Sequence, residues 1–166
     1  MADYNRDPEQ GCSFTGHRFI KRSHIDSICD LLDRGIAYAY SCGCRNFFCG
    51  GAIGFDTLAA KRVLAFRSTH PDVTLDLILP CFDQDAKWSA SQKREYSEIV
   101  TAADTVEYVS TDYYNGVMMH RNRRLVERCK MIIAYAGRPG GSTQTISMAE
   151  AVGKKVYNIF PSLEKN

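Results

Sequence analysis

Apolar residues recur along this chain in two alternating rhythms, one of about two residues and one of about 3.6. Short strand-like runs fall at 11–16 (GCSFTG), 45–51 (RNFFCGG), 73–80 (VTLDLILP), 105–110 (TVEYVS), 130–136 (KMIIAYA) and 155–160 (KVYNIF). Helical spacing fills the intervals. Over 24–43, Ile25, Ile28, Leu31, Leu32 and Ile36 share one face, and over 55–70, Phe55, Leu58, Ala59, Val63 and Phe66 form a stripe. A polar helix is predicted at 88–103 with Ser89 as a candidate N-cap. Further helices are predicted at 115–129 and 145–153, the second ending on Gly153, where a helix stop belongs.

Strand and helix alternating six times predict an α/β fold: a single doubly wound, Rossmann-like domain with a mainly parallel sheet of about six strands. It should span 11–162 after a flexible N-terminal segment at 1–10. Ligands in such folds bind beyond the carboxyl ends of the strands, where the strand order reverses.

Composition narrows the classes. A formal net charge of +2 over 166 residues gives no strong nucleic-acid signal. The polar start MADYNRDPEQ lacks the charged-then-apolar order of a secretory signal, and no apolar run reaches the roughly 20 residues of a membrane span. A cytoplasmic protein without a membrane partner is expected. Seven cysteines then read as free thiols, and the CxC pair Cys42 and Cys44, with Cys49 nearby, has poor spacing for zinc. Neither a metal nor a cofactor is expected.

Four segments follow strands and should meet at one edge of the sheet. In the first, Gly16 frees the backbone and His17 and Arg18 offer cations to an anionic group, though a plain turn has the same composition. In the second, the amides of Gly50, Gly51 and Gly54 open a helix and would attract a phosphate. Asp56 there either complements the helix dipole or bonds a ribose hydroxyl; structural glycines are the alternative. In the third, Arg121 and Asn122 occupy the helix face shared by Val117, Met118, Leu125 and Val126. Burying an unpaired guanidinium costs several kcal/mol, so either a carboxylate satisfies Arg121 or that face lines a cleft. In the fourth, Gly140 and Gly141 free the backbone while Ser142, Thr143 and Thr145 add hydroxyls at a helix start. Serine and threonine also cap helices without any ligand.

TGHR, CGGAIGFDTLAA, LILPCFDQDAKW, MMHRNRRLV and MIIAYAGRPGGSTQTISMAEAVGKKV, in this order, resemble the SLOG superfamily and most closely its YpsA-like branch. The resemblance covers about residues 12–160. It implies a Rossmann-like fold, a pocket for nucleotides or nucleotide-derived ligands, and bacterial or phage origin. A more distant similarity joins the chain to the lysine-decarboxylase-like, cytokinin-activating phosphoribohydrolases, whose signature pairs MxxRK with PGGxGTxxE. Arg121 takes the arginine position, Asn122 replaces the lysine, and Pro139-Gly140-Gly141 matches the start of the loop. Thr143 stands where a glycine is expected, and the glutamate position falls on Ile146 or beside it. Glu150 is a stand-in one helical turn further on, about 6 Å along the axis.

The expected function is binding of a nucleotide or ADP-ribose-like ligand, sensory or regulatory in purpose. Arg18 and Arg121 would supply charge, Thr143 and Thr145 hydroxyls, Asp56 or Asn122 would read a sugar, and Phe82 or Trp88 would stack on a base. One alternative is an N-glycosidic hydrolase using Arg121 with Glu150 or Asp56; another is a protein-interaction module with no ligand. The apolar faces permit a homodimer.

Overall fold

Alternate residues of each strand point to opposite faces of the sheet, and each face meets its own helices. The structure is a computed structural model that describes residues 6–164. The strands are β1 (Gly11–Gly16), β2 (Asn46–Cys49), β3 (Thr74–Leu79), β4 (Thr105–Tyr108), β5 (Met131–Tyr135) and β6 (Lys155–Asn158). They form one sheet in the order β4-β3-β2-β1-β5-β6, with every pairing parallel. The helices are α1 (Ile25–Ser41), α2 (Phe55–Arg67), α3 (Ala90–Ala102), α4 (Val117–Glu127), α5 (Gly141–Ala151) and α6 (Phe160–Glu164).

On one face, Phe14, Phe47, Leu75, Leu77 and Ile133 pack against Ile28, Leu32 and Ile36 of α1 and Phe55, Ala59 and Val63 of α2. On the other, Ile132 and Ala134 pack against Val126 of α4 and Ala149 of α5, and Phe48 and Ile78 against Leu125. Ile132 and Ile133 thus serve different cores, which is why β5 reads as a continuous apolar run. Each buried valine, leucine, isoleucine or phenylalanine among them contributes about 1.5–3 kcal/mol by leaving water. The fold is the expected doubly wound α/β domain.

Local signals hold at α3: Ser89 Oγ accepts the Gln92 amide at 3.2 Å, and Gln92 Oε1 accepts the Ser89 amide at 3.0 Å. Three details differ from expectation. Ile25 is partly exposed and opens α1 instead of joining the core. β6 stops at Asn158, and Phe160 begins the short α6, which carries no periodic pattern to announce it. The helix predicted from 145 starts at Gly141, so the glycine-rich stretch supplies its first turn.

Of the N-terminal segment expected to be flexible, residues 1–5 lie outside the described residues; Pro8–Gln10 form a single 3-10 turn capped by Asp7. Among the described residues, no helix is long and apolar enough to cross a membrane, and no group of three or more His, Cys, Asp or Glu side chains could hold a metal ion.

Candidate functional site

β1 and β5 lie side by side, with Gly16 in register with Tyr135. From these strands the chain proceeds to β2 in one direction and to β6 in the other, and that reversal opens a crevice at their carboxyl ends. A cleft of about 280 Å³ occupies it. Its walls are the end of β1 through Arg18, Ala52 and Asp56 at the start of α2, the inward face of α4, and Gly141 and Ser142 at the start of α5. This volume lies near the lower end of the range for small-molecule sites, about 300–1,000 Å³.

Arg121 is only 6% exposed, yet its partners are neutral groups. Nη1 donates to the Gly50 carbonyl, Nε donates to Asn122 Oδ1 at 2.8 Å, and Nη2 faces Met118 Sδ at 3.9 Å. Burial pulls its pKa down from the ordinary arginine value, while the charge of Asp56 acts in the opposite direction. Of the two alternatives for Arg121, no carboxylate bonds it among the described residues; a backbone carbonyl anchors it, and its face lines the cleft. Arginine has no acceptor atom, so Asn122 must present its oxygen to Arg121. The amide NH2 of Asn122 is then directed away from Arg121, toward Gly141 across the cleft.

Asp56 is likewise 6% exposed. Its Oδ2 accepts the Ala52 amide at 3.2 Å, and its Oδ1 is buried without a partner. Burial raises its pKa above the usual carboxylate value, and the nearby Arg121 charge counters that shift in part. Among the described residues it is the one carboxylate in the cleft wall.

At α5, the N-cap is Gly140, so no side chain caps the first amides of the helix. Gly141 and Ser142, whose amides a helix leaves without internal acceptors, form part of the cleft wall. Thr143 Oγ1 instead braces the turn, accepting the Gly140 amide and donating to the Gly140 carbonyl, both at 2.9 Å.

His17 corrects the expectation of a cation. Its Nε2 accepts the amides of Gly137 at 2.7 Å and Arg138 at 3.2 Å. The ring is therefore neutral, with its proton on Nδ1, and it tethers the loop before α5 to the end of β1. Burial, aided by the charge of Arg138, lowers its pKa below the ordinary histidine value. The unfolded chain thus takes up a proton first as pH falls below about 6.5, and stability declines from there through the lowered folded-state pKa. His17→Gln keeps an acceptor but cannot titrate. Urea unfolding between pH 7.5 and pH 5 should show a shallower acid-side loss for this variant than for wild type; equal losses would remove the tether from the argument.

Several predicted residues lie elsewhere. Gly50, Gly51 and Gly54 are not in the cleft wall. The Gly50 carbonyl serves Arg121, and the His17 carbonyl takes the Phe55 amide at 3.1 Å, so the start of α2 is closed by protein groups. Gly16 lines the cleft, and its lack of a side chain admits the Phe55 ring. Thr145 is fully buried and donates to the Gly141 carbonyl at 2.9 Å. Glu150 is exposed near the far end of α5, about 13 Å along the axis from Gly141. It cannot serve as the base of a reaction in the cleft. Phe82 packs on Tyr108 and Trp88 on Tyr96, both away from the cleft wall. The His17 tether and the approach of Gly137 to the Phe160 ring were not foreseen, and no local sequence signal marks either.

Comparison with known proteins adds family and fold. The family model described as the YspA SLOG family matches residues 16–158. The UPF0398 protein BH1768 of Halalkalibacterium halodurans is 25% identical over 139 residues, covering 81% of this chain and 69% of that protein. The SPbeta prophage-derived protein YoqJ of Bacillus subtilis is 25% identical over 131 residues, covering 70% and 77%. Two solved structures share the fold, each with a TM-score of 0.62. DNA processing protein A of Streptococcus pneumoniae is 18% identical over 88% of this chain, which spans 48% of that protein. Its counterpart from Helicobacter pylori, described for its single-stranded DNA binding mode, is 21% identical over 90% of this chain, which spans 64% of it. The ordered segments, the all-parallel sheet and the match over 16–158 agree: the chain belongs to the YspA SLOG family, the YpsA-like branch of the SLOG superfamily.

Proposed function

We propose that the cleft binds a nucleotide or nucleotide-derived ligand such as ADP-ribose by its phosphate, in a sensory or regulatory role. One observation carries the reading: the uncapped start of α5, the Asn122 amide and the Arg121 and Arg18 side chains border a single cleft. A phosphate has several acceptor oxygens and negative charge. A helix start with free amides and partial positive charge meets both needs, and a buried amide donor adds direction. The Arg121 guanidinium sits behind these donors, and Arg18 stands exposed at the rim, where it can steer an anion inward. Family membership supports a nucleotide- or nucleoside-related ligand in general; the phosphate position is our own assignment. The hydrolase alternative loses one of its two candidate bases, because Glu150 lies at the other end of its helix; Asp56, in the cleft wall, is the base it would have to use.

The test is ligand-induced stabilisation. At a hundred-fold excess over its dissociation constant, a ligand stabilises the folded state by roughly 2.7 kcal/mol, several degrees of melting temperature for a domain of this size. AMP, ADP-ribose and inorganic phosphate should be compared on wild type and Asn122→Leu. A shift with a nucleotide that Asn122→Leu abolishes is the expected result. If no member of the panel shifts the melting temperature, the cleft is not a nucleotide site.

A further inference from the structure

The cleft offers a nucleotide contacts for its phosphate but no surface for its base. At about 280 Å³ it falls just below the usual range for small-molecule sites, about 300–1,000 Å³, so a ligand that enters phosphate first leaves its far end at the mouth. The two rings in the cleft wall are already engaged: Phe14 is fully buried, and His17 meets Tyr135 and Phe160 edge to face. A base would therefore have to find its surface at the rim.

Phe19 is the ring at the rim. It follows Arg18, which lines the cleft, and consecutive Cα atoms are about 3.8 Å apart. It is 78% exposed, more than any other large apolar side chain among the described residues, and it meets no other ring there. Single exposed apolar side chains are common, so exposure alone carries no argument. What distinguishes Phe19 is the backbone beneath it, which is clamped on both sides. Before it, the His17 amide donates to the Tyr135 carbonyl at 3.0 Å, the His17 carbonyl accepts the Phe55 amide at 3.1 Å, and Gly54 leaves room for the Arg18 carbonyl. After it, Ile20 packs against the core, and the Lys21 carbonyl accepts the His24 amide at 2.8 Å. A ring presented on a fixed backbone gives up little conformational entropy when a partner covers it.

Resting on the nucleotide reading above, we propose that Phe19 is a specificity-determining residue that stacks on the nucleobase at the mouth of the cleft, while the phosphate occupies the start of α5. Every base has a π face, and a phenyl ring has no donor or acceptor with which to tell one base from another. The site thus distinguishes a nucleotide from a bare sugar phosphate, and does so for any base. Covering Phe19 also removes exposed apolar area from water, which adds to the stacking itself.

The experiment is calorimetric titration with AMP, GMP, UMP and ribose 5-phosphate, the last carrying the same sugar and phosphate without a base. Wild type should bind each nucleotide about 5- to 150-fold more tightly than ribose 5-phosphate, the range that one base–aromatic stack supplies. Phe19→Ala, at an exposed position, should melt as wild type does without ligand, and its preference for nucleotides should close to within about threefold. Phe19→Trp should keep the preference, with the added indole emission quenched by AMP and not by ribose 5-phosphate. If AMP and ribose 5-phosphate bind wild type alike, or if Phe19→Ala keeps the full preference, the stacking role is overturned while the phosphate site stands. A preference shown by one base alone would mean recognition of its edge, and would overturn stacking as well. If none of the four binds, the nucleotide reading falls and this inference falls with it.

Discussion

Gly54→Ala is expected to lower the free energy of unfolding by roughly 3 kcal/mol or more, read as a large drop in the urea midpoint with an unchanged slope. Two effects combine. Gly54 has φ of +82°, a backbone conformation that a Cβ disfavours. That Cβ would also lie 2.2 Å from the Arg18 carbonyl oxygen, a backbone atom with no rotamer to escape into. Gly153→Ala is the control: φ is +78°, but nothing lies within 4 Å of the added atom. Strain alone remains there, about 1–2 kcal/mol. Equal losses in the two variants would mean that the contact with Arg18 is unimportant. Because that carbonyl belongs to the rim of the cleft, Gly54→Ala should also weaken nucleotide binding if the folded protein can be isolated.

Arg121→Met should separate binding from stability. Removing the guanidinium leaves the Gly50 carbonyl and Asn122 Oδ1 without their donor, which destabilises by about 1–3 kcal/mol for each buried group. It also relieves the desolvation of a charge that is 6% exposed, a gain of comparable size. These opposing terms leave a net stability change within about 2 kcal/mol. Binding has no such offset, and the nucleotide-induced melting shift should vanish. A loss above about 4 kcal/mol, or a binding shift that survives, would identify Arg121 as a structural arginine.

The architecture was legible because it rests on periodicity. Ile28, Leu32 and Ile36 mark a buried face by spacing alone, and MIIAY can only be a strand covered on both sides. Arg121 and Asn122 were legible as anomalies, polar residues on an apolar face. The glycine segments were less readable, because glycine serves close packing, a turn and a ligand with the same absence of a side chain. Only the coordinates show that Gly54 makes room for the Arg18 backbone and that Gly140 leaves α5 uncapped. His17 was misleading for a related reason. A histidine at a rim reads as a cation, and the amides of Gly137 and Arg138, 120 and 121 residues away, make it a neutral acceptor.

The sequence by itself determined the alternation of strands and helices, the parallel sheet that follows from it, the family, and the four segments at the carboxyl edge. All of these depend on spacing along the chain, which local chemistry records. The tertiary structure decided which glycine loop is open, that Glu150 lies beyond reach, and that Asp56 beside the cleft keeps one enclosed oxygen unpaired. Those outcomes depend on hydrogen bonds between residues far apart in the chain, where donors and acceptors are assigned only once the sheet has brought β1, α2, α4 and α5 together.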